Sequence, residues 1–145
     1  NLVDIRLSLE KLAFTKAFDR IGETVISELR ESIDRTESTI NDKDLSGFMR
    51  YDPLFHETIY RVSGNEWISY ILNNSLTLLS VLRYMDKGDD FTDAAMSSVR
   101  DHRSILEAIE HRDIGLMLSR LEHHLMNHKE RLRLQQFSDQ TDAAI

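Results

Sequence analysis

Five Gly and a single Pro are spread through 145 residues, and that scarcity constrains the fold more than any other feature. Gly and Pro are the residues that most often end or break a helix. A chain with so few of them is built of long helices and few turns. The apolar residues agree, recurring at helical spacing in nearly every stretch. Leu2, Ile5, Leu9, Leu12 and Ala13 form a first stripe that closes near Lys16. A second helix is predicted from about Asp19 to Ile40, with Ile21, Val25, Leu29 and Ile33 as its buried row. After the polar turn at Asn41, Asp42, Lys43 and Asp44, with Asp44 as N-cap, a third helix carries Leu45, Phe48, Met49, Phe55, Ile59 and Val62. It stops at Ser63-Gly64-Asn65, where Gly supplies the usual end. A fourth helix starts near Glu66 and runs through Ile68, Ile71, Leu72, Leu76, Leu79 and Leu82 to a break at Lys87-Gly88-Asp89-Asp90. The fifth spans roughly Asp93 to Glu110, with Met96, Val99, Ile105, Leu106 and Ile109 inward. His111 to Asp113 form a corner, and Asp113 caps a sixth helix reaching about Phe137 along Ile114, Met117, Leu118, Leu121, Leu125 and Leu132. The expected fold is all-α, an antiparallel bundle of about six helices. It occupies residues 1–137, and residues 138–145 are expected to be a frayed polar tail.

A chain of this length suits one domain with a real core. No apolar run approaches the roughly 18 residues of a membrane span. The opening Asn1-Leu2-Val3-Asp4-Ile5-Arg6 has neither the basic nor the apolar region of a signal peptide. Without an initiator Met, it is read as part of something longer. The absence of Cys excludes disulfides and thiolate ligands, and the cytoplasm is the default compartment. The net charge is −7, with 25 acids against 18 bases and no basic stripe. Such a chain is not expected to bind nucleic acid by itself.

The single Pro stands at position 53, inside the third helix. It removes a backbone donor and biases Asp52 away from helical geometry. Either the helix kinks there, aiming the Asp52 carboxylate toward a central site, or it restarts with Asp52 as its N-cap.

Six His remain to be placed. His111 lies in a corner and reads as structural. His123 and His124 are adjacent, about 100° apart on a helix, so at most one faces the core. His124 lies on the edge of the apolar row and His123 leans to the polar side. His128, four beyond His124, offers a competing two-His site among solvated neighbours. His102 falls squarely on the buried face, three after Val99 and three before Ile105. A buried imidazole without a partner is costly. Asp52 and His56 are one turn apart and can point the same way. One carboxylate and three neutral imidazoles, Asp52, His56, His102 and His124, suit a borderline divalent metal such as zinc or nickel. The bland alternative is a structural dimerisation bundle whose His do not converge. Ahead of that bundle stands the runner-up, a metal-dependent enzyme activating water, with Glu57 and Glu107 as candidate bases only by proximity. Zincin and di-iron signatures are missing, as are a phosphate loop and a nucleophile elbow.

Asp52-Pro-Leu-Phe-His56-Glu-Thr-Ile, followed by Ser63-Gly64-Asn65, resembles the FCD effector-binding domain of the FadR subgroup of GntR-type bacterial transcription regulators. The pattern continues with His102-Arg-Ser-Ile-Leu-Glu-Ala-Ile109 and His124-Leu125, and Arg6-x-x-x-Glu10 is similar to the family's opening helix. The match covers nearly the whole chain, and the pieces in order are specific where each alone is not. Pro53 departs from the family's usual residue after the Asp, which puts Asp52 in doubt as a ligand.

The resemblance implies a helical bundle holding a divalent metal through Asp52, His56, His102 and His124, with a small carboxylate effector at or beside it. It implies a homodimer, and DNA contact only through an N-terminal winged-helix domain not in this chain. Effector binding would then shift the DNA-binding heads, as differential affinity for two states requires. Four protein ligands leave an octahedral metal two positions for water or an effector carboxylate. Basic residues should answer the effector's remaining charge. Arg83, on the inward row of the fourth helix, and Arg6, between Leu2 and Leu9, are the candidates. Their plainer roles are a snorkelling surface residue and an i, i+4 pair with Glu10.

Overall fold

The computed structural model describes residues 2–74 and 91–127. Every regular element among them is a helix. We label them α1 (Leu2–Phe18), α2 (Glu23–Asn41), α3 (Leu45–Tyr51), α4 (Leu54–Ser63), α5 (66–74), α6 (Thr92–Glu110) and α7 (114–127). The expected all-α bundle is what forms. The expected break at 87–90, Arg83, His128 and the 138–145 tail lie outside the described residues.

The turns follow from local chemistry. Asp44 takes the Gly47 N–H on its side chain at 2.9 Å, capping α3, and Asp113 takes Leu116 N–H at 3.0 Å, capping α7. Gly64 ends α4 in the left-handed region at φ 72°. Asn65 then receives the N–H groups of Trp67 and Ile68, both at 3.1 Å, on its side-chain oxygen. Ser63-Gly64-Asn65 is therefore a stop followed at once by a start.

At Pro53 the single predicted helix becomes two. Asp52 (φ −57°, ψ −43°) and Pro53 (φ −66°, ψ −21°) both keep right-handed helical torsions. The chain is broken by the missing Pro N–H rather than by a turn. Asp52 does not cap α4; its Oδ1 accepts the Ser98 hydroxyl at 2.9 Å.

α1 packs on α4, and α2 packs on α3, α4 and α6. The main core joins Phe14, Leu29, Ile33, Phe48, Phe55, Ile59, Val99, Ile105, Ile109, Met117 and Leu121. Ala13, Tyr60, Ile68 and Leu72 form a smaller cluster beside it. Two rows differ from the sequence expectation. On α2 the buried row is Ile26, Leu29, Ile33 and Ile40, with Val25 only half-buried. On α1 the inward face is Val3, Arg6, Glu10, Ala13, Phe14 and Ala17, while Ile5 and Leu12 are 55% and 44% exposed. The helix has turned its apolar stripe partly to solvent and buried an ion pair. The reason lies at the centre of the bundle.

Candidate metal centre

His56, His102 and His124 sit on α4, α6 and α7 in rows that are otherwise apolar. His56 lies three before Ile59, His102 three from both Val99 and Ile105, and His124 three after Leu121, all of them buried. Helical spacing of three to four residues thus turns each imidazole to the same side as its core neighbours. His102 is held flat against Phe55, ring centroids 4.4 Å apart and 9° from parallel. The three Nε2 atoms meet: His56 to His102 is 3.1 Å, His56 to His124 is 3.2 Å and His102 to His124 is 3.2 Å.

The opposite ring nitrogens of two of them face carboxylates. His56 Nδ1 is 2.8 Å from Glu10 Oε2, and His124 Nδ1 is 3.0 Å from Asp101 Oδ2. A carboxylate only accepts, so in both neutral rings Nδ1 carries the proton and Nε2 carries the lone pair. Two acceptors then face each other at 3.2 Å, an arrangement that a positive centre relieves. Three nitrogens around one zinc ion, at about 2.0–2.1 Å each, stand roughly 3.0–3.4 Å apart. The observed triangle fits. The donor set is imidazole nitrogen, which suits zinc or nickel.

Around the trio lies a buried polar shell. Glu10, fully buried, takes Arg6 Nε at 2.8 Å on Oε1 and the Tyr60 hydroxyl on the same oxygen. Burial alone would raise the Glu10 pKa. The electrostatic pull of His56, then of Arg6, and hydrogen bonds from His56 and Tyr60 outweigh it and hold the carboxylate far below its usual range. Burial, then the negative charge of Glu10, pushes the Tyr60 phenol well up. Burial works to lower Arg6, but the charge of Glu10, the neighbouring Tyr60, the hydrogen bond to Glu10 and Asp52 raise it. His124 is pushed down to about 4, first by burial, partly offset by its bond to Asp101.

Among the described residues, the side chains whose ligand atoms all lie within 4.8 Å of one another are His56, His102 and His124. Asp52 stands at the side of this group, its Oδ1 3.8 Å from His102 Nδ1. Arg6 is 2% exposed with its Nε on Glu10. His123 is exposed and bonds Asn127 at 3.3 Å. His111 forms the corner after α6, its N–H on the Glu107 carbonyl at 3.0 Å.

Glu10, Tyr60 and Asp101 are the parts that sequence reading left unassigned. Glu10 was visible only as the i+4 partner of Arg6, and Tyr60 stands four beyond His56 with no motif to mark it. The signal that could have found Glu10 is its register: it is three before Ala13 and four before Phe14, both fully buried.

Comparison with known proteins supplies the family. The FCD domain family matches residues 1–127. The chain belongs to that family. The FCD domain described here is 31% identical over 127 residues to the gluconate operon transcriptional repressor of Bacillus subtilis (strain 168), a match covering 83% of this chain and 51% of the relative. It is also 31% identical over 131 residues to the protein of the same name from Bacillus licheniformis, with the same coverage. The chain thus spans about half the length of the curated relatives it matches. A solved structure of E. coli McbR/YncC superposes with a TM-score of 0.82 at 16% identity, over 92% of this chain and 67% of that one. That likeness concerns the fold alone. The relatives named are transcriptional repressors. Among the described residues no helix is long and apolar enough to cross a membrane.

Proposed function

We propose that this FCD domain is the metal-dependent effector sensor and dimerisation unit of a cytoplasmic GntR-type transcription regulator. The observation that carries the reading is the meeting of three buried Nε2 atoms at 3.1–3.2 Å. His56, His102 and His124 would hold a divalent ion, zinc or nickel, and Asp52 would complete the set by giving up its bond from Ser98. The ion would supply a Lewis-acidic position for a small carboxylate effector. Three carboxylates, Glu10, Asp52 and Asp101, surround the imidazoles against one guanidinium, Arg6, so the surroundings favour a cation.

Arg6 and Arg83 are the cations we propose to answer the effector's charge. The field of Arg6 reaches His124 and Asp52, which suits that role. The relatives' name makes gluconate, a sugar acid, the first carboxylate to try. Apolar side chains left outside, among them Ile5, Leu12, Trp67 and Tyr70, provide surface for a second copy. DNA contact would belong to an attached winged-helix domain.

Metal analysis of purified protein should find about one divalent ion per chain. Adding zinc to chelator-treated protein should raise its thermal midpoint, because a ligand at 100 times its Kd stabilises by about 2.7 kcal/mol. His102→Ala should abolish that rise. No bound metal, and no zinc-dependent midpoint in the unaltered chain, would overturn the reading.

A further inference from the structure

Neutral imidazole has one proton and two nitrogens, and the nitrogen that keeps the proton cannot bind a metal. Which one keeps it is set by the hydrogen bond the other side of the ring makes. In this bundle two rings are set from outside their own helices. Glu10 on α1 reaches His56 on α4 at 2.8 Å, and Asp101 on α6 reaches His124 on α7 at 3.0 Å. Glu10 is itself aimed: its Oε1 is taken by Arg6 and Tyr60, leaving Oε2 for His56. Asp101 Oδ2 also receives Asn127 Nδ2 at 3.4 Å. His102 is arranged differently, its ring fixed by stacking on Phe55 and its Nδ1 3.8 Å from the nearest Asp52 oxygen.

We propose that Glu10 and Asp101 are positioning residues: by accepting the Nδ1 protons of His56 and His124 they lock both rings in the tautomer that presents the Nε2 lone pair to the centre. This rests on the metal-binding reading for its purpose but not for its geometry. It accounts for the buried ion pair on α1. Arg6 and Tyr60 act through Glu10, and Glu10 acts through His56. Partners of this kind typically govern metal affinity by about 10–100-fold.

The test uses isotope-labelled protein and long-range proton–nitrogen correlation spectra at neutral pH, after chelator treatment. His56 and His124 should both show a protonated Nδ1 and a bare Nε2. In Asp101→Ala, His124 should shift toward the Nε2–H form and the zinc Kd should weaken about 10–100-fold. Asp101→Asn keeps an accepting oxygen and should restore the tautomer and most of the affinity. Glu10→Gln keeps an accepting oxygen for Arg6 and Tyr60, which Glu10→Ala would not, and turns an N–H donor toward His56 Nδ1, so His56 should shift toward the Nε2–H form. An Nε2–H tautomer at either ring of the unaltered protein overturns the proposal. So does an Asp101→Ala protein with unchanged tautomer and zinc Kd. If the tautomers are as expected and zinc does not bind, the positioning stands and the sensor reading falls.

Discussion

The imidazole of His124 is fully buried against His56 of α4 and His102 of α6, and burial pushes its pKa down to about 4 from 6.5. Between those values the unfolded chain binds a proton that the folded chain refuses. Stability is therefore complete above about 6.5 and declines as pH falls toward 4. Glu10 adds to the loss further down: its folded pKa is depressed below 4.5, so its contribution disappears as the carboxylate protonates. The unfolding free energy of chelator-treated protein, read from urea titrations, should fall steadily from pH 6.5 to pH 4, by roughly 2–3 kcal/mol for His124 alone. A His124→Leu variant should show a shallower slope over that interval. Equal slopes in the two proteins would remove His124 from the explanation.

At the scale of single helices, the turn at Ser63-Gly64-Asn65 sets where α5 leaves α4. Gly64 holds φ 72°, a conformation that disfavours a Cβ, and Arg20 crosses close by to donate to the Ser63 carbonyl at 3.3 Å. Gly64→Ala should cost about 1–2 kcal/mol, from the torsion and from displacing Arg20. Gly22→Ala, where an added Cβ meets nothing within 4 Å, should be milder; chemical denaturation of both variants decides it.

Helix existence and caps were legible in the sequence because Asp44, Asp113 and Gly64 act on neighbours a few residues away. The break at Pro53 was legible too, but not what Asp52 would do there. Its partner is Ser98, 46 positions on, and no local rule connects them. The rotation of α1 was misjudged for a related reason. Apolar periodicity assumes that the inward face is apolar, and here that face carries Arg6 and Glu10 because His56 and Tyr60 wait for them across the interface. The spacing of His56, His102 and His124 within their rows showed which way each would face, but their meeting depends on how three helices are rotated against one another. Asp101 was hidden for the same reason, its role being fixed by a ring on another helix.

For the whole molecule, the residues at the centre are drawn from positions 10, 56, 102 and 124, with contacts joining groups 22, 46 and 68 positions apart. Helices can form locally, but contacts of such separation require loops to close first, and that entropy delays them. The imidazole trio is therefore the last thing the folding chain can complete, after the rods exist and have docked. Refolding from urea with cobalt present should regain helical circular dichroism first and the visible bands of nitrogen-bound cobalt afterwards. Simultaneous recovery of both signals would mean the centre assembles as early as the helices do. If it comes last, it serves as a checkpoint: only a chain that has finished folding can answer its ligand.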